Sequence, residues 1–514
     1  MEIKISDIGK RFIDKSLLLN CLVEGVVQTT GPTLFNVSDG TGTIALKGFD
    51  GAGIRAFPGI TEKDCIQAKV KIKEFNGALE GEIQNIRKLS EQESKKLSEQ
   101  ILEIQRKRAK VESIPFLVES NLLNKLKENF IKAATEIRLA VIQSRPIIVR
   151  HHNDTDGYSS GYSLERAILP LVQKQHGNEK SRWTFFERAP CAAPFYEIED
   201  SIKDTARSLM GSARFSEKMP LVVIVDNGSS EEDLIPIKQG KIHGIDFIVV
   251  DHHYFDKDVI SKEVLVHINP FLVEEDGSTF SAGMLCVELA RFINPKVERI
   301  DHIPALAGQA DRIKNPKAME EYFNIAKSKG YTKELLIEIS AVIDFVSTKL
   351  RFMEAREYIE VVFGEDITKQ KDLVSLIYPN IKKLTDNGRT IGLSAVKKET
   401  IKDKTLQILM VEETFSRFSY PKPGQCVGLV HDVEVEKSSS KKVVTIGVLS
   451  DLVTIRATED SGFSVHNFLQ HLKKNLPEAF ADGGGHHSAG AIRFIPSKQK
   501  EILEQIRTFI KNLN

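Results

Sequence analysis

Residues 146–157 read PIIVRHHNDTDG, residues 221–228 read LVVIVDNG, and residues 246–253 read DFIVVDHH. Each opens on a nearly unbroken Val/Ile run and closes on acids, histidines or glycine. Such runs belong to strands covered on both faces, which means a parallel sheet flanked by helices. The intervening stretches supply the rest of a strand–helix alternation: a helix from about Tyr158, a strand WTFFER, and the helices YEIEDSIKDTARSL and SEEDLIPIKQG. In an open parallel sheet the carboxyl ends of the strands share one edge, so the three polar segments converge on a common crevice. A fourth, Ala307-Gly308-Gln309-Ala310-Asp311-Arg312, ends an apolar helix.

The flanking sequence divides the chain further. At about 100–200 residues per domain, 514 residues make roughly three domains, and 41% apolar content is enough for separate cores, which excludes a disordered chain. From Leu17 to Leu89 short alternating strands separated by Gly, Asp and Asn turns predict a small β-barrel. There LFNVSDGTGTIALKGF (residues 34–49) resembles strands two and three of nucleic-acid-binding OB-folds. Phe35, Phe49 and Phe75 either stack on bases or fill the barrel. The expected organisation is an OB-like domain over 1–90, a helical linker over 91–145, a parallel-sheet domain over 146–315, a helical connection over 316–391, and a smaller α/β domain over 392–514. In the last, TLQILMVEE, CVGLVHDVEV, KKVVTIGVL and LVTIRATE read as strands, followed by a helix, a glycine cluster, the strand AIRFIP and a closing helix.

Lys and Arg number 71 and Asp and Glu 71, so a polyanionic partner has to be held by local clusters rather than by an overall field. The slight basic excess of 91–145 reads as a solvated face rather than a nucleic-acid stripe. The five cysteines form no CxxC pair, against a disulfide framework, zinc finger or iron–sulfur cluster, and fit a reducing cytoplasm. The charged start MEIKISDIGKRFIDK has no apolar signal core, and no run approaches the ~20 apolar residues of a membrane span, so a cytoplasmic protein without a membrane partner is expected.

Carboxylates crowded within ~4 Å of each other in a poorly solvated crevice repel strongly and call for a countercharge. Oxygen ligands mixed with imidazole, without thiolate, favour Mn²⁺ or Mg²⁺, with Co²⁺ or Zn²⁺ as substitutes. The number of ligands suits two ions ~3.5–4 Å apart sharing one carboxylate, an arrangement that hydrolyses phosphoesters. Taken singly, Asp226 reads as a cap and His151 or His253 as a structural histidine. Recurrence at successive strand ends outweighs those readings.

Together, HxDxDG at His152–Gly157, VDNG at Val225–Gly228, Asp251-His252-His253 and Gly484-Gly485-His486-His487-Ser488-Ala489-Gly490 resemble the DHH phosphoesterase superfamily with a DHHA1 domain, and in particular RecJ-like single-strand exonucleases. The barrel and the helical connection are similar to those of archaeal RecJ-like enzymes. The resemblance covers about residues 146 to 495. It implies a multidomain α/β fold with a DHH domain and a DHHA1 domain, and two divalent ions. His152, Asp154 and Asp226 would hold one; Asp156, Asp226, His252 and Asp311 would hold the other, with Asp226 as the bridge. Asp301 is an alternative to Asp311. Asp251 would orient His252, and His253 would face the substrate phosphate. Asp154, Asp156, Asp226, His252 and His253 would thus be the catalytic set. Arg456 and the loop Gly483, Gly484, Gly485 and His486 would bind substrate. His151 has no counterpart. Asp276–Gly283, ahead of MLCVELARF, reads either as an anion-binding helix start or as a plain cap.

The function this implies is a two-metal exonuclease on single-stranded DNA or RNA in repair or replication, with Mn²⁺ the first choice of ion. The alternatives are a phosphodiesterase for small nucleotides (oligoribonucleotides, cyclic dinucleotides or 3′-phosphoadenosine phosphate) and a replication scaffold of RecJ ancestry binding a helicase and GINS-like proteins. The sequence leaves polarity, DNA versus RNA and oligomeric state open.

Overall fold

Alternation of buried and outward residues from Ser16 onward closes five strands into a barrel. These are β1 (Ser16–Gln28), β2 (Thr33–Ser38), β3 (Thr43–Gly48), β4 (Cys65–Phe75) and β5 (Ala78–Lys88), in the order β1-β2-β3-β5-β4. The β2–β3 turn is pinned by Asp39, whose Oδ1 accepts the Thr41 amide at 2.8 Å, while Gly40 takes a φ of +82° that a side chain would resist. Phe35 is fully buried in the barrel core and is therefore no stacking platform; Phe49 and Phe75 are 69% and 58% exposed. The Lys47 ammonium sits 4.0 Å above the Phe75 ring.

The protein, a computed structural model that describes residues 3–177, 179–191, 193–215, 217–350, 355–416, 420–438 and 441–513, forms two units. One is Met1–Lys110 with Ala213–Ser216, the other Val111–Ser212 with Glu217–Asn514. The helices of 91–145 divide between them. Glu91–Ala109, started by a Ser90/Glu93 capping box, packs on β1 and β4 of the barrel unit. Asn121–Ile142 packs in the second unit against the helix Ala282–Ile293.

The centre of the second unit is a five-stranded, wholly parallel sheet of order β10-β9-β8-β6-β7, formed by β6 (Ile147–His151), β7 (Phe186–Pro190), β8 (Leu221–Val225), β9 (Asp246–Val250) and β10 (Val266–Ile268). β6 and β8 are buried along their whole length, as their composition predicts. The expected strand WTFFER is instead a short helical turn, Ser181–Thr184, followed by β7. The chain leaves β6 to one side for β7 and returns on the other side for β8. The order therefore reverses between β6 and β8, the place where open sheets leave a crevice.

A six-stranded sheet ends the chain: β11 (Lys397–Ile401), β12 (Lys404–Met410), β13 (Val443–Val448), β14 (Leu452–Ala457), β15 (Asp482–His486) and β16 (Ala489–Arg493), in the order β11-β12-β13-β14-β16-β15. Two expectations change here. CVGLVHDVEV is helical, within Pro423–Lys437, because β12 and β13 are parallel and a parallel pair needs a crossover. Its Val-rich pattern buries Cys426, Val427 and Val430, which share one helical face. The glycine cluster is not a loop: Gly483–Gly485 lie in β15, the edge strand beside β16. A Cβ on Gly483 would stand 2.2 Å from the Ala491 carbonyl oxygen, so this close pairing requires glycine. Among the described residues no helix is long and apolar enough to cross a membrane.

Beneath β6, Arg150 is buried, donating from Nε to Asp204 Oδ2 at 2.9 Å and lying 3.4 Å from Asp200, while the Tyr196 hydroxyl donates to Asp204 at 3.0 Å. Arg150→Met strands two carboxylates without their cation and should lower stability by about 3–5 kcal/mol, measured by denaturant unfolding.

Candidate metal centre

The acids and histidines expected as ligands emerge just past the carboxyl ends of their strands, or at a helix end. His152 follows β6, and Asp154 then caps the helix Thr155–His176 by accepting the Gly157 amide on Oδ1 at 3.0 Å. That turn folds back so tightly that a Cβ on Gly157 would lie 2.1 Å from the His152 carbonyl oxygen, which accounts for the glycine of DTDG. Asp226 follows β8 with a left-handed φ of +59°, a conformation Asp tolerates better than most residues. His252 follows β9. Asp311 caps the C-terminal end of the helix Ile303–Ala310.

These side chains meet in two adjoining groups. His152 Nδ1 lies 2.8 Å from Asp154 Oδ2 and 3.6 Å from Asp226 Oδ2. His252 Nε2 lies 3.2 Å from Asp311 Oδ2, 3.5 Å from Asp226 Oδ1 and 3.8 Å from Asp156 Oδ2. Asp226 thus presents one oxygen to each group. Asp301, the alternative to Asp311, is elsewhere, paired with Lys329 at 3.0 Å.

The electrostatics of the cluster are those of a site short of positive charge. Burial, with Asp226 and Asp311 close by, pushes the Asp156 carboxyl well above the ordinary range. Burial and the charges of Asp226 and Asp154 raise Asp311 to about 6 against the pull of His252. Burial resists ionisation of His252 and His152, yet the surrounding carboxylates raise both imidazoles above their usual range, the direction expected where positive charge is lacking. Asp226 Oδ2 in the first group, and Asp311 Oδ2 and His252 Nε2 in the second, are buried and make no hydrogen bond. Desolvated polar atoms left in that state are costly, and a divalent cation in each group would satisfy them. The donor set of carboxylates and imidazoles, without thiolate, fits Mn²⁺ or Mg²⁺.

Three details were not legible in the sequence. First, Asp251 does not orient the His252 ring. Its Oδ1 lies 2.7 Å from His253 Nδ1 and accepts the His252 backbone amide at 2.8 Å, whereas His252 Nδ1 meets the Gly277 carbonyl at 3.1 Å. A strand-end carboxylate reaches the ring two residues on more easily than its immediate neighbour, whose side chain points the other way. Second, the helix start after Asp276–Gly283 does bind an anion, and that anion is Asp156. The Ser281 hydroxyl and the Gly283 amide donate to its Oδ1 at 2.6 and 3.0 Å, and the Ala282 amide donates to its Oδ2 at 2.9 Å. The Ser-Ala-Gly before an apolar run was the available signal, but nothing local names its partner. Third, His151 turns away from the cluster, with Nδ1 on the His152 carbonyl at 2.7 Å; burial, with Arg188 nearby, pushes its pKa down to about 3.

The C-terminal sheet faces this centre. His486 Nε2 stands 3.8 Å from Asp311 Oδ2, and its ring centroid is 4.6 Å from that of His253. A cleft of about 1260 Å³ opens here, lined among others by Asp311, Arg312, His431, Arg456, His486 and His487. Gly483, Gly484 and Gly485 line a smaller hollow beside His253 and Tyr254. A Cβ on Gly484 would meet nothing, so this backbone is open to close approach.

Residues 146–307 match the DHH family, N-terminal domain. An uncharacterized protein of Methanocaldococcus jannaschii is 34% identical over 99% of this chain and 71% of its own length. The chain belongs to the DHH family. A solved DHH domain, described as that of a member of a ribosomal-protein family, superposes with a TM-score of 0.77 at 36% identity, over 83% of this chain and all of that one. RecJ of Thermus thermophilus, solved in complex with Mn²⁺, shares the fold at a TM-score of 0.53 and 14% identity, over 80% of this chain and 59% of that one.

The two aspartates near the end of the domain are separable. Asp311→Asn should weaken Mn²⁺ binding at least about tenfold in calorimetric titration, whereas Asp301→Asn, which breaks a pair outside the cluster, should leave it unchanged.

Proposed function

We propose that the chain is a divalent-metal-dependent phosphodiesterase that acts as an exonuclease on single-stranded DNA or RNA. The observation that carries this reading is Asp226, with one carboxylate oxygen toward His152 and Asp154 and the other toward His252, Asp156 and Asp311. His152, Asp154 and Asp226 would hold one ion and Asp156, Asp226, His252 and Asp311 a second. When bound, the ions would neutralise the phosphodiester charge and acidify the attacking water.

The remaining tasks fall to side chains and backbone of this chain. Asp251 holds the His253 ring by Nδ1, which leaves Nε2 for a phosphate oxygen. His486 is kept neutral by burial and by the neighbouring His253 and His252, so it serves as a hydrogen-bonding group rather than a charge. Arg456, together with the open backbone of Gly483–Gly485, suits the flanking phosphates of a strand, since residues without Cβ let N–H groups come close. Stacking of bases on the exposed Phe49 and Phe75 rings of the barrel is sequence-tolerant, in keeping with a substrate defined by being single-stranded.

Digestion of ssDNA and ssRNA labelled at each end in turn, with Mn²⁺ present, should release mononucleotides and give the polarity. Asp154→Ala or Asp226→Ala should lower the rate by more than about a hundredfold, beyond the cost of losing a residue that merely supports a ligand. Undiminished activity in either variant or in excess chelator rejects the mechanism. Turnover of dinucleotides without that of long strands would favour a small-nucleotide phosphodiesterase.

In the same assay, Phe49→Ala and Phe75→Ala should each raise KM for a long strand about five- to 150-fold, from the loss of ~1–3 kcal/mol of stacking per base, and leave dinucleotide turnover unchanged.

A further inference from the structure

The segment Asn153-Asp154-Thr155 is gripped on both flanks by residues far from it in sequence. On one side the Lys422 ammonium, partly buried at the start of the helix Pro423–Lys437, donates to the Asn153 carbonyl at 2.7 Å and to Ser347 Oγ at 2.9 Å. On the other side Thr155 Oγ1 donates to Asp344 Oδ1 at 2.9 Å, from the helix Lys333–Leu350. Gln425 closes the circuit: its Oε1 accepts the Lys422 amide at 3.1 Å, and its Nε2 donates to Asp344 Oδ2 at 2.8 Å. Three segments therefore lock the two peptide units around Asp154. Asp154 Oδ1 is committed to capping its helix, so the direction of Oδ2 follows from the backbone that the circuit holds.

From this geometry we infer that Lys422, Asp344 and Gln425 are positioning residues for the metal centre, tying the geometry of the His152/Asp154/Asp226 group to the seating of the C-terminal domain on the DHH domain. The inference rests on the metal reading given above. Docking of the domains alone does not call for the circuit, because ion pairs join them elsewhere: Arg312–Asp432 at 2.9 Å, Lys473–Glu232 at 3.5 Å and Arg493–Glu197 at 2.6 Å.

The sign of the effect separates positioning from simple electrostatics. Lys422→Met removes a cation that stands beside Asp154, on the carbonyl of Asn153. On charge alone, losing its repulsion would tighten cation binding; if the lysine positions the loop, binding weakens instead. Substrate-free protein is titrated with Mn²⁺ by calorimetry, with the electron paramagnetic resonance of free Mn²⁺ as a second readout. Lys422→Met should bind about ten- to a hundredfold more weakly, and Lys422→Arg, which keeps a donor, should recover part of the loss. Thr155→Val cuts the other flank without changing charge and should also weaken binding; it decides the matter if Lys422→Met does not fold. Arg493→Met, which breaks only an exposed pair, should bind as the wild type does. Variants at 422 and 155 that bind Mn²⁺ as tightly as the wild type, or more tightly, overturn the positioning role alone. A wild type that takes up no Mn²⁺ overturns the metal centre and the positioning role with it.

Discussion

Carboxylates packed into a desolvated crevice repel one another, and the arrangement of the DHH half of this protein follows from managing that repulsion. Asp156, Asp226 and Asp311 surround one imidazole, His252, with contacts of 3.2–3.8 Å. The protein offsets part of the negative charge with fixed groups. Asp156 sits on the amide and hydroxyl donors at the start of the helix Ala282–Ile293, and Asp154 caps its own helix. What remains without a hydrogen bond, Asp226 Oδ2, Asp311 Oδ2 and His252 Nε2, lies in the two adjoining groups. Burying like charges costs several kcal/mol per ion unless a partner is supplied, so a fold that keeps this cluster desolvated is built for a cation.

The same constraint explains which parts of the site could be read from the residues. Strand ends are local: a Val/Ile run followed by Asp or His announces both a buried parallel strand and the edge at which its polar residues emerge, and the reversal of order between β6 and β8 brings DTDG and DNG together. The convergence of four separated segments was legible for that reason. Partner identity was not. Asp251 serves His253 rather than the His252 ring, and the helix start at Ser281 serves Asp156, 125 residues away. Both depend on directions of side chains that periodicity does not encode.

The misread elements share a cause of a different kind. CVGLVHDVEV carries the β-branched residues of a strand, and only the parallel pairing of β12 with β13 makes a crossover helix obligatory. The triple glycine looks like a loop because glycine is common in loops, yet here it lets an edge strand lie close against β16. Phe35 alternates into the barrel while Phe49, just past the end of β3, stays outside. In each case the tertiary pairing, not the local propensity, chose the outcome.

How the two α/β parts are joined bears on how the site works. The ion pairs between them are largely at the surface, Arg312 being 76% exposed in its pair with Asp432, and pairs of that kind contribute little apiece in water. Opening the cleft by breaking them would therefore cost little. Lys422 is the exception: its ammonium is partly buried on a backbone carbonyl next to Asp154. Separation of the domains would leave that carbonyl and the Thr155–Asp344–Gln425 bonds without part of their support. The backbone on both sides of Asp154 is therefore braced from outside the parallel-sheet domain, whereas Asp156 is held within it, by the helix start at Ser281.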